Sequence, residues 1–237
     1  MSNIVIVTAG GVGNRTNQDI PKQFINVNNK PIILYTLEAF QNHPNIDEIC
    51  VVILEGWEQI LWAYAKQFEI TKLKYVVVGG KTGQESIYNG LKAIKKDHGD
   101  DDVVVIHDGN RPMVDADVIT DCMVKQKKYG SAVAAIPCTE VVFVSKNNVD
   151  SNKSIPRENL KRTQTPHAYY LGELWNVHCE ANKKNIVNTA ASCSLMEVFG
   201  RKSYFSKGSE KNLKITTLED IEIFKALLAA KRDEWLK

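Results

Sequence analysis

Five short runs rich in Val and Ile recur along this chain: Ile4–Val7, Ile49–Leu54, Tyr75–Val78, Val103–Ile106 and Ala132–Ile136. Each is apolar at every position rather than at alternate ones. Runs of this kind suit strands buried on both faces, as in a parallel sheet. Helical periodicity fills the gaps. Ile32–Gln41 carries Ile33, Leu37 and Phe40 on one face, and Glu58–Phe68 groups Ile60, Leu61, Tyr64 and Phe68. Ser86–Lys96 does the same with Ile87, Leu91 and Ile94, and Asp117–Tyr129 with Val118, Ile119, Cys122 and Met123. Strand and helix alternate through four cycles, which predicts an α/β protein with a doubly wound, mostly parallel sheet and right-handed crossovers.

The pattern changes between Glu140 and Arg157, where an apolar run gives way to Asn147-Asn148 and then Ile155-Pro156. This predicts a β-hairpin or arm at about residues 140–160 leaving a single domain that spans 1–237. Near the end, a short strand is expected at Lys214–Thr216. A helix follows, with Thr217 as N-cap, Asp220 three residues on, and Ile221, Phe224, Leu227 and Leu228 as its apolar face.

Composition narrows the function classes. With 43% hydrophobic residues a sizeable core is expected, and the net charge of +2 over 237 residues gives no global drive toward nucleic acid or an anionic membrane. The five cysteines, Cys50, Cys122, Cys138, Cys179 and Cys193, are odd in number, widely spaced and without a C-x-x-C pair. Reduced thiols in a cytoplasmic protein are expected, not a disulfide framework or structural zinc. No signal peptide and no membrane-spanning stretch is visible.

The first run leads into Ala9, Gly10, Gly11 and Gly13, followed by Asn14, Arg15 and Lys22. Glycines after a strand leave backbone N–H groups open to a phosphate, and two cations add full charges, so the segment suits a triphosphate cradle. The same residues also suit a tight turn with two surface cations. A P-loop is excluded because G-x-x-x-x-G-K-[ST] is not supplied. A dinucleotide fingerprint is disfavoured because Thr16 takes its third small position and Glu55 lies too far along for the ribose. The fourth run ends in "IHDGNRP", residues 106–112, delivering His107, Asp108 and Arg111 to the same sheet edge. An aspartate there could hold Mg²⁺ beside a phosphate, and Arg111 could pair with a second anion. A capped turn closed by an Asp108–Arg111 ion pair is the structural alternative.

Taken in order, "AGGVGNR" at 9–15, "IPKQF" at 20–24, the glycine pair and "ESIYNGL" within 79–91, "HDGNRP" at 107–112, "QTP" at 164–166 and "NLKIT" at 212–216 resemble one family. It is that of the cytidylyltransferases acting on 2-C-methyl-D-erythritol 4-phosphate and on ribitol 5-phosphate. The resemblance implies a Rossmann-like nucleotidyltransferase fold, a homodimer built with the arm, and a Mg²⁺-dependent reaction of CTP with a sugar-alcohol phosphate. It implies that Arg15 and Lys22 grip the triphosphate, and that Ala9, Gly10, Gly11, Gly13, Asn14, Gly80 and Ser86 hold the nucleotide. Asp108 would ligate the metal, and Arg111, Arg157, Thr165, Thr189 and Lys214 would address the alditol phosphate and the reacting phosphate. Arg15, Lys22, Asp108 and Lys214 are thereby the catalytic set. "AGG" and "NLKITT" are more similar to the ribitol-phosphate branch than to the isoprenoid branch, and a different polyol phosphate serving a wall or capsule polymer is the alternative.

Three positions depart from the family pattern. Glu140 and Val141 replace an Asp-Thr pair, Asn188 and Thr189 replace a Thr-Asp pair, and Gly83 replaces an arginine. Since two of these slots line the family's acceptor pocket, the acceptor is expected to differ before the nucleotide does. The rivals are a transferase using another nucleoside triphosphate with a sugar 1-phosphate, and an inactive nucleotide-binding module. A nicotinamide-dependent oxidoreductase is remote. Of the other conspicuous residues, His43, His98 and His178 are expected at the surface, His107 tied to backbone, and His167 holding the arm. Trp57, Trp62, Trp175 and Trp235 are expected in packing, Lys125–Lys128 on a solvated face, and the 97–102 carboxylates in water without partners.

Overall fold

The structure is a computed structural model that describes residues 1–11 and 20–234, with side chains described to residue 230. Eleven strands and seven helices are described. In chain order they are β1 (Asn3–Ala9), β2 (Asn26–Val27), β3 (Lys30–Pro31), α1 (Ile32–Gln41), β4 (Glu48–Ile53), α2 (Glu58–Gln67), β5 (Leu73–Val78), α3 (Gly83–Ile94), β6 (Val103–Asp108), α4 (Ala116–Tyr129), β7 (Ser131–Pro137), β8 (Val142–Phe143), β9 (Ser154–Ile155), β10 (Lys161–Tyr170), α5 (Leu171–Lys183), α6 (Ser192–Val198), β11 (Phe205–Lys207) and α7 (Leu218–Glu234).

The main sheet has the order β11-β7-β10-β6-β1-β4-β5. β1 pairs in parallel with β4 and β6, β4 with β5, and β11 with β7, whereas β10 runs antiparallel between β6 and β7. The doubly wound expectation holds. Its central strands β1, β4 and β6 are buried on both faces for the reason their composition suggests, whereas the edge strands β5 and β11 are partly exposed. Val5, Val7, Ile49, Val51, Val103 and Val105 face α1, α2 and α4. Ile4, Ile6, Cys50, Val52, Val104 and Ile106 face α3, α5 and α6. Burying each such side chain stabilises the fold by about 1.5–3 kcal/mol. α3 lies close to the sheet because Gly90 has no side chain there: an added Cβ would sit 2.9 Å from Val52 Cγ2 and 3.0 Å from Ile6 Cγ2.

The helix boundaries follow local chemistry. α3 begins at Gly83 rather than Ser86 because Thr82 caps it, its Oγ1 accepting from the Glu85 N–H at 3.1 Å. Thr217 caps α7 in the same way, at 3.3 Å from the Asp220 N–H, while the Asp220 carboxylate accepts from the Thr216 and Thr217 N–H groups. Ile221 and Phe224 of α7 are buried with Ile25, Val27, Ile32, Met113 and Ile215 in a third small core. The arm is present as the β8–β9 hairpin.

Several expectations need correction. Residues 214–216 are not a strand. They run as an extended segment held by the Ile215 N–H to Asn110 O at 2.9 Å and Asn110 Nδ2 to Ile215 O at 2.5 Å. β10, α5, α6 and β11 were not foreseen, and β10 least of all, because its polar "RTQTPH" carries neither strand alternation nor a buried run. His43 and His178 are 2% and 1% exposed, not surface residues. The His98 ring is held between Glu48 (3.1 Å) and Asp102 (3.3 Å), so Asp102 does have partners, the Ser2 and Gly99 N–H groups among them. His167 lies on β10 beside Ile106 and Val133 and does not hold the arm. Trp57 stacks on Phe24 and Trp175 on Tyr88, whereas Trp62 is 43% exposed and Trp235 lies outside the described residues. All five cysteines are free. Among the described residues no helix is long and apolar enough to cross a membrane.

Candidate active site

Parallel register brings the chemistry-bearing residues together. Thr8 of β1 stands beside Asp108 of β6, so the turn after β1 and the turn after β6 open at one carboxyl edge of the sheet. The two chain segments nearly touch. The Gly109 N–H donates to Thr8 O at 2.9 Å, and a Cβ at Gly109 would lie 3.1 Å from that oxygen. Buried Gln23 closes the other side, its Nε2 donating to Ala9 O at 2.5 Å. A cleft of about 590 Å³ opens here, reaching from Gly10 and Gly11 past Lys22 to Asp108, Arg111 and Lys214.

Asp108 is the one carboxylate lining this cleft among the described residues, against Lys22, Lys81, Arg111 and Lys214. Its Oδ2 is 2.9 Å from Arg111 Nε and its Oδ1 3.0 Å from Lys214 Nζ. Burial by itself would raise the Asp108 pKa; the Lys214 and Arg111 charges outweigh it and hold the carboxyl far below the usual carboxylate range. The structure thus builds the ion pair that was the alternative reading of "HDGNRP", and adds Lys214, which is distant in sequence. Arg111 Nη1 also donates to Asn212 O at 2.7 Å, fixing the segment that carries Lys214. Thr165 Oγ1 accepts from the Asp108 N–H at 3.0 Å, so β10 supports the same corner. His107 is tied to backbone as expected, its Nε2 3.2 Å from Arg111 O.

On the far wall, Ser86 Oγ accepts from the Gly80 N–H at 3.0 Å and donates to Thr82 O at 2.9 Å, shaping the loop that enters α3. Ala9, Gly10, Gly11, Lys22, Gly80, Ser86, Asp108, Arg111, Thr165, Thr189 and Lys214 therefore share one cleft. Gly13, Asn14 and Arg15 lie outside the described residues. Arg157 does not join them. It is exposed at the base of the arm, its Nη1 donating to Thr139 O at 3.3 Å. Glu140 and Val141 are exposed there as well, with Val141 at 70%.

Sequence reasoning missed the buried amides that fasten these walls: Gln23, Gln84, Asn110, Gln164 and Asn212. Gln23, Asn110, Gln164 and Asn212 stand inside the motifs "IPKQF", "HDGNRP", "QTP" and "NLKIT". A polar residue fixed within an otherwise apolar turn was the available signal.

A mostly parallel sheet with a cationic cleft along its carboxyl edge, fed by a glycine turn after the first strand, is a Rossmann-like nucleotidyltransferase fold. The comparison with known proteins is more specific. The family model described as IspD, 2-C-methyl-D-erythritol 4-phosphate cytidylyltransferase, matches residues 3–230, and the chain belongs to that family. It is 45% identical over 228 residues to a ribitol-5-phosphate cytidylyltransferase of Lacticaseibacillus paracasei, covering 95% of this chain and 97% of that protein. It is 40% identical over 228 residues to one of Vibrio parahaemolyticus, covering 95% of each. Among solved structures it resembles the 2-C-methyl-D-erythritol 4-phosphate cytidylyltransferase of Francisella tularensis, with TM-score 0.80, 32% identity, and 94% and 98% of the two chains covered.

Proposed function

We propose that this protein transfers the cytidylyl group of CTP to an alditol phosphate, with ribitol 5-phosphate as the acceptor. The observation that carries the reading is the meeting of Asp108, Arg111 and Lys214 with Lys22 and the glycine turn in one cleft. A phosphate oxygen of the acceptor attacks the α-phosphorus of CTP. A new P–O bond forms there, the bond from the α-phosphorus to the bridging oxygen breaks, and pyrophosphate leaves. The nucleophile is already ionised at neutral pH, so no general base is required. What the reaction needs is placement and neutralisation of charge, which Lys22, Arg111 and Lys214 suit, with Arg15 a further cation implied by the family resemblance.

Mg²⁺ fits this donor set. It takes one or two carboxylates together with substrate phosphates, and Asp108 offers one hard oxygen donor at the phosphate end of the cleft. When bound there it would neutralise phosphate charge at the reacting centre.

The arm supports a homodimer. Val141, Phe143, Val144 and Val149 are exposed on it at 70%, 57%, 41% and 85%. With them stands Arg157, remote from its own cleft and available to that of a second copy. Light scattering of the purified chain should give twice the monomer mass; a monomeric mass at micromolar concentration would remove the arm's role.

The family also contains the methylerythritol-phosphate branch, so the test is a panel. Pyrophosphate release from CTP is expected with ribitol 5-phosphate, more slowly with 2-C-methyl-D-erythritol 4-phosphate, and not with UTP in place of CTP. Faster release with the methylerythritol substrate would reassign the acceptor, and release with none of the alditol phosphates would point to a nucleotide-binding module.

A further inference from the structure

Residues 186–191 join α5 to α6 without regular secondary structure, and part of this strap forms a wall of the cleft. Backbone groups in such a segment need partners from elsewhere. They find them on the first turn of α3. Ile186 O accepts from Gln84 Nε2 at 2.5 Å, and Val187 O from Thr82 Oγ1 at 2.9 Å. The Thr189 N–H donates to Gln84 Oε1 at 2.9 Å, and Thr189 Oγ1 lies 3.0 Å from the same oxygen. Gln84 is only 5% exposed.

These partners decide which way the Gln84 amide points. A carbonyl on one side and an N–H on the other leave one arrangement, because the reverse would set oxygen against oxygen and N–H against N–H. Gln84 Oε1 has no hydrogen to give, so the Thr189 hydroxyl must donate to it. What Thr189 retains for a ligand is lone pairs.

We propose that Gln84 is a positioning residue that sets acceptor specificity: by holding the strap and taking the Thr189 proton, it makes Thr189 an acceptor-only group, matched to a hydroxyl of a polyol. The inference rests on the cytidylyltransferase reading above. An ionised phosphate has no proton to offer such a group, whereas every carbon of an alditol tail carries a hydroxyl that can donate. A hydrogen-bonding site of this kind rejects analogues that lack the hydroxyl.

The test compares Gln84→Ala, Thr189→Val, Thr189→Ser and the Gln84→Ala/Thr189→Val double variant. Gln84→Ala is expected to raise KM for ribitol 5-phosphate about tenfold, on the scale of one lost hydrogen bond, with kcat and the KM for CTP within about twofold. Thr189→Val should match it and Thr189→Ser should resemble the wild type. The double variant should lose no more than either single one, because both remove the same contact. Amide exchange at Thr189 should quicken in Gln84→Ala. Equal rises in both KM values, a rise confined to CTP, or additive losses in the double variant would overturn the specificity assignment. Unchanged exchange at Thr189 would overturn the latch by itself, without reference to turnover. A wild-type protein that turns over no alditol phosphate would overturn the functional reading and the specificity assignment with it, while the exchange result would still decide the latch.

Discussion

Lys214→Ala is expected to lower kcat about a hundredfold while leaving the KM for CTP nearly unchanged. The lysine stands 3.0 Å from Asp108 Oδ1 and is 44% exposed, so its charge is fixed at the phosphate corner yet open to a ligand. Its position is built rather than chosen by its own side chain. Ile215 is fully buried beside it, doubly bonded to Asn110, and packed against Phe224 of α7. A preorganised cation facing developing charge is worth about 2.7–4 kcal/mol of barrier, by analogy with donors in oxyanion holes. Lys22→Ala should fall by a similar factor. The Lys214 variant should show a lower urea midpoint but stay folded, because Lys214 compensates the buried Asp108 carboxylate and Arg111 still pairs with it. Steady-state rates of pyrophosphate release with a parallel unfolding curve make the check. Near-wild-type kcat in the folded variant would remove Lys214 from the mechanism.

Acid should unfold this protein well above the pH at which carboxylates titrate. Burial pushes the His107, His167 and His178 pKa values down to about 3, about 4 and about 4. Among the described residues neither ring nitrogen of His178 has a hydrogen-bond partner, nor have the Nδ1 atoms of His107 and His167. Each ring folds neutral but takes a proton once unfolded, at an ordinary pKa of about 6.5. Between the two values the unfolded chain binds more protons, so stability is present at neutral pH and falls as pH drops below about 6.5. The slope approaches roughly 1.4 kcal/mol per pH unit for each histidine until its folded pKa is reached. Three such groups acting together make stability fall steadily as pH drops from about 6.5 toward about 4, before most carboxylates titrate. Asp108, Asp102 and Asp220, whose pKa values are lowered, add losses of the same sign only at lower pH. His178→Phe should keep the ring stacking on Tyr88 and move the acid midpoint downward. Urea midpoints that stay flat between pH 7 and pH 5 would contradict this account.

The sheet could be read from the sequence because burial on both faces leaves a mark in the strand itself. β1, β4, β6 and β7 are mostly apolar and buried, β5 carries a similar apolar run at a partly exposed edge, and the helices between them repeat apolar residues at i, i+3 and i+4. Capping at Thr217 was legible for the same reason, since the N–H it satisfies lies three residues away. Half of the candidate site was legible too. A glycine turn after a strand and an aspartate ending another are local signals, and the order of six motifs turned them into a family resemblance.

The rest was decided by distance in the chain. That Lys214 closes on Asp108 depends on Asn110, Asn212 and Phe224, which converge only when α7 packs on the third core. That His178 is buried follows from α5 lying against α3, and nothing in its own neighbourhood of the sequence marks it. β10 enters between β6 and β7 with a polar first part because Thr163, Gln164, Thr165 and His167 line the cleft, and only Ala168 and Tyr169 reach the cores, so hydrophobic pattern could not find it. Local periodicity determined which segments became strands and helices and which edge of the sheet bore charge. Only the tertiary structure decided which cation meets which anion, and which buried amide ties the strap to the first turn of α3, because those pairings join residues about a hundred positions apart.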